Sequence, residues 1–231
     1  MQLSALPRQA ISRAYAATAA RTQSREEELA NSLSHGLGLA AALAAGTFLI
    51  FTALQRGSPG FIAGVSVYVA TLAFLYLAST LYHALPNGRA KAVMLVCDHS
   101  AIFLFIAGSY TPFTLGVLRG PWGSALFVVV WGLALVGITI KVVGGADRYP
   151  KLSTAMYLVM GWVLLFAAGP VWHLMPVGGL LWLLAGGIAF TVGVAFFRAE
   201  GMRYGHFIWH WFVLAGTIFH FIAILRYAGG A

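Results

Sequence analysis

Charged side chains are scarce in this sequence of 231 residues: Asp, Glu, Lys and Arg together account for 9%, against 60% hydrophobic residues. A typical soluble domain carries about 25% charged residues. Acids are especially few, and of the six present only Asp98 lies inside an apolar stretch, while the other five fall in segments predicted to be loops or tail. This composition excludes an ordinary water-facing surface and predicts an integral membrane protein.

Cysteine is the second scarcity, because it occurs once, at Cys97. A single cysteine excludes an intrachain disulfide and a zinc site built from cysteines. The formal net charge of +8 would favour a nucleic-acid partner in a soluble protein. Here the basic residues lie at the ends of apolar runs, which is the pattern that sets membrane topology. We therefore expect no nucleic-acid partner.

Seven apolar segments are each long enough for a transmembrane helix, which needs about 20 predominantly apolar residues. Short loops with Gly and Pro separate them. The sequence therefore predicts an all-α fold, a bundle of seven transmembrane helices at residues 33–228 that follows a tail at 1–32. The predicted spans cover residues 33–54, 60–84, 92–115, 122–143, 152–172, 177–197 and 206–227.

Lys and Arg are distributed unevenly between the two sides of this bundle. The tail and the second, fourth and sixth loops hold all but three of the 14, and the opposite side holds Arg56, Arg119 and Arg226. Because positive residues favour the cytoplasmic side, we expect a cytoplasmic N-terminus and an external C-terminus, in a bacterial inner membrane. The four arginines and no acid in the first 25 residues also leave a transit peptide open, although a cytoplasmic tail is favoured.

The predicted topology brings ionisable residues from three distant spans to one depth. The second span ends at His83, the third carries Asp98 about two turns from its start, and the seventh begins with His206 and His210. Residues four apart share a helix face, which suits His206 and His210 as ligands of one metal, and Ser79 stands at the same spacing from His83. Ionisable residues within a membrane are costly and are functional candidates.

Three imidazoles with an open fourth position are typical of a catalytic zinc site rather than a closed structural one. The sequence thus predicts His83, His206 and His210 as ligands, with Asp98 holding a water or a ligand histidine from outside the ligand set. The alternative is that these histidines form interhelical hydrogen bonds without a metal. The residues alone leave both interpretations open.

The remaining histidines are weaker candidates. His35 also lies near the predicted cytoplasmic side and is an alternative ligand, whereas His99 is rotated away from Asp98. His173 falls in an external loop, and His220 lies about 21 Å along the helix from His206, too far to share its metal. Retinal is excluded because the three lysines lie at span ends, and haem because no second histidine pair faces the first.

Four motifs give these residues a family resemblance. The sequence reads EELANSLSHG at 27–36, STLYH at 79–83, CDHSAIFLFIAGSYTPF at 97–113 and HFIWHWFVLAGTIFHF at 206–221. Together they resemble the haemolysin III branch of the progestin and adiponectin receptor (PAQR) family. The resemblance implies a zinc ion near the cytoplasmic face, with ligands at the matching His83, His206 and His210, a water-holding aspartate at Asp98 and a motif serine at Ser79.

The resemblance also implies a function, because the wider superfamily includes alkaline ceramidases. It suggests a zinc-dependent hydrolase with a membrane lipid substrate, a ceramide-like amide, in which Asp98 and Ser79 are catalytic. One alternative is a sensor or regulator of membrane lipids without turnover. A pore-forming haemolysin is the third, disfavoured because no polar path crosses the predicted spans.

The unequal distribution of Lys and Arg yields a first prediction. A reporter fused to the C-terminus of the chain should be active only outside the cytoplasm, and the same reporter at the N-terminus only inside it. Paired phosphatase and fluorescent-protein fusions measure both ends. A cytoplasmic C-terminus would contradict the predicted orientation.

Overall fold

The computed structural model describes residues 23–56, 58–146 and 149–229, and their regular structure is entirely helical. Seven stretches are long and apolar enough to cross a membrane, which confirms the predicted all-α fold with seven spans. α5, a 3₁₀ segment at Val163–Ala167 and α6 together form the fifth, and α8 is the seventh. The helices are α1 Arg25–Arg56, α2 Pro59–Ala84, α3 Arg89–Leu115, α4 Pro121–Gly144, α5 Pro150–Trp162, α6 Ala168–Leu174, α7 Val177–Phe197 and α8 Gly205–Tyr227.

The first helix begins eight residues before the predicted start at residue 33. Ser24 and Glu27 cap it reciprocally: the Ser24 N–H donates to Glu27 Oε2 (2.9 Å) and the Glu27 N–H donates to Ser24 Oγ (3.3 Å). Glu26, Glu27 and Glu28 occupy the first turn, where acids favour the positive end of the helix dipole. The prediction that these acids lie in a tail is wrong, because capping and charge extend the helix beyond its apolar part.

The fifth span is interrupted where the sequence predicted one continuous helix. The Tyr110 hydroxyl, from α3, lies 3.0 Å from the carbonyl of Met160 and 2.9 Å from that of Gly161. It also accepts a hydrogen bond from the Leu164 N–H (3.2 Å). A break in a membrane helix requires such partners for the freed backbone groups. The interruption opens a gap beside Gly161 and Trp162 that becomes a cavity wall.

Close packing through glycines holds the helices together around the functional side chains. A Cβ on Gly64 of α2 would lie 2.7 Å from the Cα of Pro112 on α3, and a Cβ on Gly193 of α7 would lie 2.7 Å from the ring of Trp209 on α8. Small residues permit such approach where the surrounding lipid gives no hydrophobic force between helices. α2, α3, α7 and α8 therefore enclose a narrow interior.

Candidate metal centre

Three histidines converge where α2 ends and α8 begins. Each of His83, His206 and His210 offers a ring nitrogen, and these nitrogens all lie within 4.8 Å of one another. His83 and His210 are buried and His206 is half-buried. The predicted convergence is confirmed, and the three side chains lie close enough to bind one metal ion.

The spacing of the ring nitrogens fits ligands of a single ion. His83 Nε2 lies 3.2 Å from His206 Nε2. Two nitrogen ligands at 2.0–2.1 Å from a tetrahedral zinc ion stand about 3.3 Å apart. The separation therefore matches neighbouring corners of such a coordination sphere.

Hydrogen bonds on the far side of two rings set which nitrogen can bind a metal. His83 Nδ1 lies 2.7 Å from a carboxylate oxygen of Glu28, and His210 Nδ1 lies 3.2 Å from the backbone carbonyl of Asn31. Both oxygens can only accept, so Nδ1 carries the proton and the neutral ring keeps its lone pair at Nε2. Metal-binding histidines typically show this arrangement, with a carboxylate or carbonyl behind the ring. The donor set thus fits a divalent metal.

A lysine holds the Glu28 carboxylate in place. Lys91 Nζ, at the start of α3, donates to Glu28 Oε1 (2.9 Å) and lies 3.0 Å from the carbonyl of Tyr82 and 3.3 Å from that of Leu85. It therefore binds the last carbonyls of α2 while it neutralises Glu28. One carboxylate and one ammonium connect α1, α2 and α3 behind His83.

These contacts identify functional residues that the sequence analysis missed. Glu28 was assigned to the tail, and Lys91 was counted only as a topology signal. Glu28, Asn31 and His35 are spaced by three and four residues, which places them on one face of α1 and is the signal that could have found them. Ser34, which lies 2.9 Å from His210 Nδ1 through its hydroxyl, carries no comparable signal.

Asp98 and Ser79 lie beside the three histidines rather than among the converging nitrogens. Both side chains are buried, and both line a cavity with His206 and His210. The Ser79 hydroxyl is placed to hydrogen-bond the Asp98 carboxylate. The site thus combines three nitrogen donors with a neighbouring carboxylate and hydroxyl.

The other histidines have different surroundings. His35 stacks flat on His210, with ring centroids 3.5 Å apart and planes 6° apart, and it is not one of the three converging side chains. Among the described residues, neither of its ring nitrogens has a hydrogen-bond partner. His99 lies with Nδ1 3.4 Å from the carbonyl of Ala146, and His173 is exposed.

An apolar cavity extends from the histidines into the bundle. Its volume is about 100 Å³, and apolar side chains such as Leu75, Phe105 and Val213 form most of its wall. A second cavity of about 270 Å³ shares Tyr110, Trp162 and other residues with it. The two therefore form one path that is polar at the metal-ligating end and apolar along its length.

This combination of helical spans and a three-histidine cluster is shared with known membrane proteins. The sequence profile of the family described as haemolysin-III related matches residues 23–221. Hemolysin-3 of Bacillus cereus is 40% identical over 206 residues, covering 89% of this chain and 94% of that protein. Hemolysin-3 homolog of Bacillus subtilis (strain 168) is 40% identical, covering 87% and 94%. The human monocyte to macrophage differentiation factor is 30% identical over 167 residues, covering 70% and 68%.

The chain is therefore a multi-pass integral membrane protein with a helical bundle and a candidate metal centre. More particularly, it belongs to the haemolysin III-related family, as the matched profile and the two bacillary relatives show. The resemblance inferred from the four motifs is confirmed.

The contact between Glu28 and His83 yields a second prediction. Glu28→Gln should weaken zinc binding by roughly 10–100-fold, because an amide accepts a hydrogen bond more weakly than a carboxylate and no longer pairs with Lys91. Competition with a chromophoric chelator measures the affinity. Glu26→Gln is the matched control, since Glu26 is an exposed acid in the same turn. Wild-type affinity in Glu28→Gln would contradict the assigned role.

Proposed function

We propose that this protein is a zinc-dependent hydrolase of lipid amides with a ceramide-like substrate, located in a bacterial cytoplasmic membrane. One observation carries the proposal: the three imidazoles meet a buried carboxylate and a hydroxyl at the polar end of an apolar cavity. Neutral imidazole nitrogens suit zinc, and three protein ligands leave a coordination position for chemistry.

The residues beside the histidines have the properties that amide hydrolysis needs. A zinc ion bound by His83, His206 and His210 would supply Lewis acidity and lower the pKa of water to about 7. The Asp98 carboxylate accepts a proton as water adds to the amide carbonyl carbon. When the C–N bond breaks, Asp98 returns that proton to the leaving amine, so that the products are a carboxylic acid and an amine.

Ser79 assists through its contact with Asp98. In the free protein its hydroxyl is placed to donate to the carboxylate and so orients Asp98. Once Asp98 has taken a proton it no longer needs that hydrogen bond. The Ser79 hydroxyl can then donate to the carbonyl oxygen as negative charge develops there, which is the usual way to stabilise acyl transfer.

The cavity supports a lipid as the substrate. Beyond the polar end its wall is formed by apolar and aromatic side chains. Leu165, Trp172 and Leu184 line the second cavity and are also exposed on the outer surface of the bundle. The path therefore reaches the surface that faces lipid, and an acyl chain can enter it from the bilayer without crossing water.

The placement of basic residues supports the cytoplasmic location of the polar end. Arg89 and Lys91 begin α3 beside His83, and Arg198 and Arg203 lie in the loop before His206. Because basic residues favour the cytoplasmic face, the proposed reaction takes place at the inner surface of the membrane.

A sensor of membrane lipids is the second candidate, and a specific observation favours it. A metal held by His83 and His206 would tie α2 to α8, so lipid in the cavity could act on helix packing without turnover. A pore has less support, since conduction needs a polar lining along the path and this cavity wall is mostly apolar.

Catalysis by Asp98 yields a third prediction. Asp98→Asn, assayed in excess zinc, should retain the metal and lose roughly 10²–10⁴-fold in lipid-amide hydrolysis, because an amide cannot accept the proton. His83→Ala should lose metal and activity together. Release of fatty acid from a panel of lipid amides in nanodiscs, at pH 6 to 9, measures turnover, with the exposed acid variant Glu200→Gln as control.

Full activity in Asp98→Asn would contradict the assigned base. If the wild type hydrolyses no member of the panel in a zinc-dependent way, the enzymatic proposal fails and the sensor becomes the leading candidate.

A further inference from the structure

A second polar group lies inside the apolar path, far from the converging histidines. His220 follows His210 by ten residues of α8, which is about 15 Å along the helix axis. It lines both cavities and therefore stands at their junction, with Trp162 and Gly187. Its ring packs edge-on against Phe190, with centroids 5.3 Å apart. Nothing in the proposed hydrolysis uses this imidazole.

The neighbouring helix is shaped to receive the ring. A Cβ on Gly186 of α7 would lie 2.5 Å from His220 Nε2, so α7 approaches this closely only because residue 186 lacks a side chain. The backbone carbonyl of Leu183, one turn earlier on α7, forms a hydrogen bond with the ring. His220 is thus held against α7 through its Nε2 edge.

This contact determines the chemistry of the other ring nitrogen. Nδ1 is buried and has no hydrogen-bond partner among the described residues, so the nitrogen that contacts Leu183 is Nε2. A carbonyl can only accept, which assigns the proton to Nε2 and leaves Nδ1 as an acceptor. A buried acceptor without a partner is unfavourable, and a ligand that donates a hydrogen bond there removes the deficit.

We propose that His220 binds a hydroxyl group in the middle of an acyl chain, so that the path selects lipids whose chain is hydroxylated about 15 Å from the carbonyl end. A saturated, unsubstituted chain leaves Nδ1 unsatisfied, and a chain carbonyl cannot donate to it. The position of the carbonyl end near His210 rests on the proposed function. The recognition of the hydroxyl rests on His220, Gly186 and Leu183.

Competition binding tests the proposal without requiring turnover. The full-length protein, in nanodiscs with zinc, is loaded with a fluorescent fatty acid that is then displaced. We expect 12-hydroxyoctadecanoic acid to bind roughly 10-fold more tightly than octadecanoic acid, the scale of one hydrogen bond to a buried group. The isomer 2-hydroxyoctadecanoic acid carries its hydroxyl beside the carboxyl group and should show no such gain.

Variants assign the preference to the imidazole. His220→Leu keeps an apolar side chain of similar bulk and should bind the mid-chain hydroxylated acid and octadecanoic acid equally. Gly186→Ala, which displaces the ring but retains it, should reduce the preference and replaces His220→Leu if that variant does not fold. His173→Leu is the matched control, because His173 is exposed and lines neither cavity, and it should keep the preference.

The outcomes separate this proposal from the proposed function. A preference that is present in the wild type and absent in His220→Leu supports the hydroxyl site even if no lipid amide is hydrolysed. Equal binding of the two acids by the wild type, or an unchanged preference in His220→Leu, overturns the hydroxyl site even if hydrolysis is observed.

Discussion

The contact between the Glu28 carboxylate and His83 is the interaction on which the metal centre depends. It brings one carboxylate within 2.7 Å of an imidazole on α2 and within 2.9 Å of the Lys91 ammonium on α3. In an apolar environment an isolated carboxylate is costly, so the lysine that neutralises Glu28 is as necessary as the acid. Because Lys91 also binds the last carbonyls of α2, the position of His83 is fixed by both its helix end and its ring.

The same helix positions the opposite side of the site. Asn31 and Ser34, one and two turns after Glu28 on α1, contact His210 Nδ1 through a carbonyl and a hydroxyl, and His35 stacks on the same ring. α1 therefore orients ligands on both α2 and α8, although it contributes none of the three converging nitrogens. The polar face of α1 is the scaffold of the centre, while its outer face remains apolar.

Much of this arrangement follows from the sequence, since apolar length identifies the spans and alternate crossing places His83, Asp98 and His206 at one depth. What could not be predicted depends on contacts between distant residues. The break in the fifth span requires the Tyr110 hydroxyl, and an apolar window cannot reveal that partner. Glu28 was misplaced because a charged turn lowers the apparent apolarity of a helix that its cap extends.

X-ray absorption at the zinc edge, combined with metal analysis of the purified protein, tests the central claim most directly. The account predicts about one zinc per chain, bound by three imidazole nitrogens and one oxygen at roughly 2.0–2.1 Å, and no zinc in His206→Ala or His210→Ala. A fourth imidazole that disappears in His35→Ala would show a closed structural site. Full zinc occupancy in His206→Ala would contradict the three-histidine centre itself.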